Sequence, residues 1–414
     1  MAVIFACTRA LPHNARMLNT SSSSVLSDPE PILSVPPLNK PCAQLGGLSP
    51  DEFMEQYWQR KPWLVRQAFA GIQPPVSRAE LFQLLASEEV ESRLVCRSGP
   101  EADADWTLKR GPMSRRSLPA LQQSGWTVLV QGLNVHVPAA AQLLEQFRFV
   151  PQARLDDLMI SWASDGGGVG PHFDSYDVFL IQVHGRRRWR IGRMDDAVLR
   201  PSLPVKIIAN FRFEEEWVLE PGDMLYLPPG WAHDGDAVGG ECMTCSVGFR
   251  SPFRTELTRE TLLRLADAVG DDDPQDIYRD PDQQATMQPG RMPKAMVDFA
   301  AQGLKQLLDE PGALARALGE YLSEPKANVQ YIAGQAWHLG LGIELDPGSC
   351  MIYDEDHVYL NGESWLMGGQ DAVLLRRLAD ARRLTSTELL SAGKDLESQM
   401  QQWVEDGWLR ATTT

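Results

Sequence analysis

The sequence has few cysteines, no long apolar run and no excess of positive charge. Six cysteines in 414 residues are too sparse for a disulfide framework and suit a reducing compartment, so we expect a cytoplasmic protein. No stretch approaches the ~20 apolar residues that span a bilayer, and we therefore expect no membrane segment. The 39 basic and 55 acidic residues give a formal net charge of −16, which argues against nonspecific nucleic-acid binding and favours basic partners.

The composition is that of a globular protein with an unusual beginning. The chain is 43% apolar and 23% charged, and it is long enough for two or three domains. Its first forty residues contain Arg9 and Arg16 before the first acidic residue, Asp28, and they include four consecutive serines. This pattern predicts a disordered N-terminal extension over residues 1–44, with a transit peptide and an upstream start assignment as alternatives.

Three residues have the spacing of a metal centre. His172 and Asp174 are one residue apart in Gly-Pro-His-Phe-Asp, and His233 ends the run Leu-Pro-Pro-Gly-Trp-Ala-His. Two imidazoles and one carboxylate can cover one face of an octahedral metal, as in non-heme Fe(II) oxygenases. Because side chains alternate along an extended chain, His172 and Asp174 project to the same side. A His-x-Asp triplet alone is common by chance, so the prediction depends on the combination.

Arg187 has the position of a ligand for an anionic cosubstrate. By strand alternation it shares a face with Trp189 and Ile191, where apolar side chains point. Such an arginine is costly to bury unless an anion pairs with it, and its planar fork suits a carboxylate. The alternative, a basic edge strand in solvent, suits the neighbouring arginines better, namely Arg186, Arg188 and Arg190.

The residues around these motifs predict a barrel of strands. Apolar runs at residues 126–131, 178–183 and 224–227 are bounded by turn residues and read as strands. Many such strands with glycine and proline turns, up to about Phe249, imply a jelly-roll. Cys242 and Cys245 fall in one of them, which favours buried thiols over a zinc site.

The pattern changes after Pro252. Apolar residues recur at helical spacing between about 262 and 308. Residues 357–366 read as a hairpin that turns at Asn361-Gly362, and short helices at 374–381 and 396–403 follow, with a strand at 407–409. This arrangement is typical of a winged helix. Three acidic residues lie near its end, namely Glu397, Glu405 and Asp406. They argue against binding to duplex nucleic acid and favour a protein-docking role.

The segments that contain these motifs resemble a known family. The run from Leu155 to Arg190, together with the segments 221–233 and 246–250, is similar to the JmjC-type ribosomal oxygenases, and most of all to the bacterial ribosomal protein arginine hydroxylases. The resemblance covers about residues 45–410. It implies an α+β fold: a double-stranded β-helix of the cupin/JmjC type over 45–252, a helical dimerisation region over 253–345 and a winged-helix domain over 346–414. Packing within one chain remains an alternative role for the helices.

The resemblance also implies roles for individual residues. By position, His172, Asp174 and His233 bind Fe(II), Arg187 binds the distal carboxylate of 2-oxoglutarate, and Ser246 lines the same pocket. Dioxygen is the second cosubstrate. Three residues match positions that surround a substrate arginine: Asp157, Met159 and Tyr176. An acidic residue and an aromatic face suit a guanidinium, although ordinary packing stays open for Asp157 and Tyr176.

The sequence therefore predicts an Fe(II)- and 2-oxoglutarate-dependent hydroxylase that acts, as a homodimer, on an arginine of a large-subunit ribosomal protein. A histidyl hydroxylase of a ribosomal protein and a catalytically silent cupin-like binding module are the alternatives. A lysine demethylase could use the same iron, but the bacterial character of the chain disfavours it.

Overall fold

The computed structural model describes residues 37–99, 104–270, 277–334 and 337–413. Most of the predicted N-terminal extension, residues 1–36, lies outside these ranges. The prediction that disorder continues to residue 44 is wrong for its last part, because this segment is hydrogen-bonded to the start of the barrel domain. Cys42 N donates to Leu48 O at 3.0 Å, and Asp51 N donates to Leu38 O at 3.0 Å.

Two antiparallel sheets form the barrel, and its strands are β1 (Trp63–Val65), β2 (Ser92–Ser98), β3 (Asp105–Arg110), β4 (Trp126–Val130), β5 (Leu155–Ala163), β6 (Val178–His184), β7 (Arg187–Arg193), β8 (Glu215–Leu219), β9 (Met224–Leu227), β10 (Trp231–Ala237) and β11 (Cys242–Phe249). The large sheet has the order β1-β9-β6-β11-β5-β4-β2-β3, and the small sheet has the order β10-β7-β8. The predicted jelly-roll class is confirmed.

Helices cover the outer face of the large sheet, and further helices follow the barrel. The first group is α1 (Pro50–Gln56), α2 (Arg78–Leu84), α3 (Leu133–His136) and α4 (Pro138–Glu145), and the second is α5 (Arg254–Asp267), α6 (Lys294–Asp309) and α7 (Ala313–Ser323). Helix α1 begins with a capping box, in which Glu52 N donates to Ser49 Oγ and Ser49 N donates to Glu52 Oε2. In the described ranges, no helix is long and apolar enough to cross a membrane.

The apolar run at 178–183 is explained by burial of β6 on both faces. Phe179 and Ile181 belong to the main core, which lies between the large sheet and helices α1 to α4. Val178 and Leu180 point the other way and pack with Trp189 from the small sheet inside the barrel. A strand that is buried on both sides carries apolar residues on both faces, so its sequence does not alternate.

The C-terminal unit has its own strands and apolar core. It contains β12 (Gly342–Leu345), β13 (Met351–Tyr353), β14 (His357–Leu360), β15 (Glu363–Leu366), α8 (Gly369–Ala381), β16 (Arg383–Leu384), α9 (Ser386–Leu389), α10 (Lys394–Glu405) and β17 (Leu409–Thr412). The hairpin turns at Asn361 and Gly362, both at positive φ, as predicted. Strand β12 pairs with β16 and β17, so it belongs to the sheet of the C-terminal unit. The expected domain boundary at 345/346 would separate β12 from this sheet. The last strand, β17, begins two residues later than predicted.

Charged and polar contacts join the barrel to the C-terminal unit. The Arg148 guanidinium, just after α4, donates to the carbonyl oxygens of Ala379 and Asp380 at the end of α8, at 2.7 and 2.6 Å. Arg382 Nε lies 3.8 Å from Glu145 Oε1. The main core of the barrel and the core of the C-terminal unit share no residue.

Candidate active site

The two candidate histidine ligands are held by their own backbones. His172, in the extended segment before β6, and His233, in β10, form an isolated antiparallel bridge: His172 N donates to His233 O at 3.0 Å, and His233 N donates to His172 O at 2.8 Å. This bridge sets the imidazole centroids 4.3 Å apart. Asp174 lies beside these two rings. Its backbone carbonyl accepts a hydrogen bond from Gly230 N, and its carboxylate lies 3.7 Å from His233 Nε2.

The side chains of this triad are arranged for a metal ion. One ligand atom from each of His172, Asp174 and His233 lies within 4.8 Å of the others. The Nδ1 atom of His172 contacts Gly170 O at 2.8 Å, and that of His233 contacts Trp231 O at 3.0 Å. Each contact fits a tautomer that keeps the proton on Nδ1 and leaves Nε2 free for a metal.

Burial keeps His233 uncharged. Burial and, to a smaller extent, the neighbouring His172 lower the pKa of His233 to about 4, against the opposing effect of Asp174. A neutral imidazole is the form that binds a metal, so at neutral pH this side chain needs no deprotonation. A catalytically silent binding module would not need this complete donor set.

Arg187 is buried inside the barrel, as strand alternation predicted. Its Nη1 donates to Ser161 Oγ at 3.0 Å and to Thr244 Oγ1 at 3.3 Å, and its guanidinium lies 5.5 Å from the centroid of the Trp189 ring. In the part of the chain that the structure describes, its buried Nε has no hydrogen-bond partner. A buried cation with an unused donor is suited to an anionic ligand. The centroids of the Trp189 and His233 rings are 5.8 Å apart, which places this cation close to the triad.

The neighbouring arginines differ from the expected basic edge strand. β7 is the central strand of the small sheet, between β10 and β8. Arg190 is half-buried and pairs with Asp236 at 2.6 Å and Asp234 at 3.3 Å. The alternative interpretation, a basic edge strand in solvent, is therefore wrong for Arg190, because two acidic residues of β10 pair with it on the outer face of the small sheet.

Ser246 and the two hydroxyl partners of Arg187 lie on adjacent strands. Thr244 and Ser246 are two residues apart on β11, and they pair with Ser161 and Met159 on β5. Alternation therefore gives Ser246 the same face as Thr244. Thr244 Oγ1 also donates to Gln182 Oε1 at 2.8 Å. Ser161 and Thr244 were not predicted from the sequence. Each is two residues from a predicted site residue, Met159 and Ser246 respectively, and strand alternation could have placed it on the same face.

The residues expected around a substrate arginine lie toward one end of β5. Asp157 and Met159 are on the same face as Ser161, and Asp157 is buried. The Tyr176 ring is partly exposed, whereas burial of its hydroxyl raises its pKa, and the charges of Asp174 and Asp157 raise it further. Tyr176 follows Asp174 by two residues and lines one cleft with Asp156, the chain neighbour of Asp157.

Asp157 already has partners in the chain. Its carboxylate accepts from Gln131 Nε2 at 2.9 Å, from Gly132 N at 2.9 Å and from Lys326 Nζ at 2.6 Å. Lys326 also lies 3.1 Å from Asp156 Oδ1. No sequence pattern pointed to Lys326, which follows α7 and is distant from Asp157 along the chain.

Comparison with known proteins extends these observations. The JmjC domain family matches residues 142–257, and the ROXA-like winged helix family matches residues 305–410. The chain is 38% identical over 280 residues to the ribosomal protein uL16 3-hydroxylase of Escherichia coli, covering 66% of this chain and 71% of that protein. It is 30% identical over 409 residues to a probable ribosomal oxygenase of Haemophilus influenzae, covering 87% of this chain and 96% of that protein.

A solved structure is similar over nearly the whole chain. The E. coli ribosomal oxygenase YcfD, in complex with cobalt and 2-oxoglutarate, superposes with a TM-score of 0.72 at 30% identity, covering 87% of this chain and 97% of that one. The fold, the arrangement of the triad and these relatives agree with the predicted family. The chain therefore belongs to the JmjC-type ribosomal oxygenases, a family of Fe(II)- and 2-oxoglutarate-dependent dioxygenases.

Proposed function

We propose that this ribosomal oxygenase hydroxylates an arginine side chain of a large-subunit ribosomal protein, with uL16 as the first candidate because the E. coli relative is named for it. The observation that supports arginine is the acidic end of β5, where Asp156 lines one cleft with Tyr176 and the next residue, Asp157, is buried. A guanidinium fits there by ion pairing and by contact with an aromatic face.

In this proposal His172, Asp174 and His233 hold Fe(II), and Arg187 binds the distal carboxylate of 2-oxoglutarate. When bound, iron and 2-oxoglutarate supply the oxidising power, drawn from dioxygen, that hydroxylates an unactivated C–H bond. The contribution of the chain is positional. Ser161 and Thr244 orient the Arg187 fork, and Ser246 lines the barrel beside them.

The target side chain would be positioned by Asp157, Met159 and Tyr176. Along β5, Asp157 and Ser161 are roughly 13 Å apart at the usual strand rise, so the cation site and the cosubstrate site occupy different depths of the barrel. A cleft of about 400 Å³, lined in part by Asp156 and Tyr176, opens next to the proposed cation site. It offers an entry path for a peptide.

The test is intact mass of substrate peptides after incubation with enzyme, Fe(II) and 2-oxoglutarate. A basic peptide with arginine at the target position should gain one oxygen atom, about 16 Da, and its lysine analogue should not, because an ammonium would misplace the reacting carbon. A histidine analogue tests the alternative of a histidyl hydroxylase. Equal oxidation of the lysine or histidine peptide would remove the case for arginine.

A homodimer formed through the helical region belongs to the same proposal. Helix α6 has no buried residue, and five of its large apolar side chains are exposed: Met296, Val297, Phe299, Leu304 and Leu308. Light scattering should show a dimer for the wild type and a monomer for Leu304→Glu, with Lys305→Glu as the matched control on the same helix. A monomeric wild type would contradict it. The absence of duplex nucleic-acid binding and the cytoplasmic location stay predictions.

A further inference from the structure

Lys326 places a positive charge on the carboxylate that is proposed to receive the substrate. Its Nζ is 2.6 Å from Asp157 Oδ2 and 3.1 Å from Asp156 Oδ1. The partners are 169 positions apart along the chain, so the fold, and not local sequence, brings them together. Burial lowers the pKa of Lys326, but Asp157 and Asp156 raise it by more, so the ammonium stays charged at neutral pH.

The carboxylate of Asp157 has little capacity left for another donor. A carboxylate offers about four acceptor positions. Gln131 Nε2 lies 2.9 Å from both oxygens, and Gly132 N and Lys326 Nζ contact Oδ2. With its side chain only 3% exposed, Asp157 presents almost no surface for a further cation.

Of these donors, Lys326 is the one that a ligand can replace. Gly132 N belongs to the backbone, and Gln131 is held on its other side by Arg93 Nη2, which donates to Gln131 Oε1 at 3.0 Å. The Lys326 side chain is long and 32% exposed. An incoming cation therefore reaches Asp157 by displacing this ammonium into water.

We propose that Lys326 is an internal competitor for the substrate site: its ammonium occupies the cation position on Asp157 and raises the affinity that an incoming cation needs, which a two-donor guanidinium meets and a second ammonium does not. The proposal rests on the assignment of this site to a substrate arginine. A substrate lysine would offer the chemistry that Lys326 already supplies, and Lys326 competes at an intramolecular concentration on the order of millimolar. A guanidinium brings two parallel N–H donors, which can bind Asp157 and Asp156 together.

The exchange keeps the charge of the buried site constant. One cation leaves as another arrives, so Asp157 is never left as an uncompensated buried charge, which would be strongly unfavourable. Lys326 thus maintains the site in the state that a cationic side chain requires. It also sets a minimum affinity for Asp157, and a cation that binds more weakly than this does not displace the Lys326 ammonium.

Binding of small amides tests this without turnover. N-acetyl-arginine amide and N-acetyl-lysine amide would be titrated by calorimetry into full-length enzyme loaded with cobalt and 2-oxoglutarate. If Lys326 covers the site in about nine-tenths of molecules, Lys326→Ala should bind both amides about tenfold more tightly, and the lysine amide should become a measurable ligand. Lys326→Arg should bind the arginine amide more weakly, because the new fork holds both carboxylates.

The controls separate this role from a structural one. Lys305→Ala removes an exposed lysine from α6 and should leave both affinities unchanged. Thermal denaturation checks that Lys326→Ala stays folded. Unchanged, weaker or undetectable arginine binding in Lys326→Ala would overturn the proposal and make Lys326 a support for Asp157. If the amides bind as expected but no arginine peptide gains 16 Da, the proposed function fails and the role of Lys326 stands.

Discussion

Replacing Arg187 by methionine is the most informative perturbation of the proposed cosubstrate site. Arg187 is 5% exposed, and the change keeps much of its stem volume but removes the guanidinium that is hydrogen-bonded to Ser161 and Thr244. We expect 2-oxoglutarate to bind more weakly while the metal ligands remain in place, because their bridge involves no atom of Arg187.

The size of the expected loss in 2-oxoglutarate affinity follows from the groups that surround the guanidinium. Truncating one member of a buried charge pair costs about 2–5 kcal/mol. Removal of the guanidinium frees only acceptor positions on the Ser161 and Thr244 hydroxyls, because Ser161 Oγ donates to Thr244 O and Thr244 Oγ1 donates to Gln182 Oε1, so the whole of this range applies. A loss of about 2–5 kcal/mol corresponds to about 30- to 4000-fold in dissociation constant.

Calorimetric titration of 2-oxoglutarate into the cobalt-loaded variant measures this loss directly. Arg188→Met is the matched control, since Arg188 is adjacent in β7 and on the opposite face. A larger loss in Arg188→Met than in Arg187→Met would refute the face assignment. An unchanged affinity in Arg187→Met would show that the carboxylate binds elsewhere.

Two further predictions concern the triad. His172→Ala, Asp174→Ala and His233→Ala should each abolish succinate formation without lowering the melting temperature much, because the ligands lie outside the main core; wild-type turnover by any of the three would exclude that residue as a ligand. The metal-free wild type should lose stability as the pH falls from about 6.5 through about 4, since the unfolded chain protonates His233 before the folded one does. Melting temperatures measured with a chelator should show this slope, and the slope should be smaller in His233→Ala.

Alternation along single strands made part of the site predictable. The burial of Arg187 beside Trp189 follows from two-residue periodicity, as does the common side of His172 and Asp174. His233, 61 positions after His172, was predicted from the turn-bounded run that it ends and from its combination with the other two residues, not from alternation. No local rule fixes which distant segments form a bridge.

The residues that were missed depend on register between strands or on contacts between units. Ser161 and Thr244 meet Arg187 only because β5, β11 and β7 come together in the barrel with a particular register. Lys326 reaches Asp157 from the segment after α7, and its own neighbourhood resembles an ordinary polar loop. Sequence patterns report which face a side chain occupies, but not which side chain it meets there.

The junction between the barrel and the C-terminal unit has a consequence for how the chain can evolve. The junction contacts described here run through arginine side chains, carbonyl oxygens at the end of α8 and Glu145, while each unit closes its own apolar core. An apolar substitution in one core therefore needs no compensating change in the other. The two halves can accumulate substitutions at different rates, and a lineage can change the surface of its winged helix without altering the chemistry of its barrel.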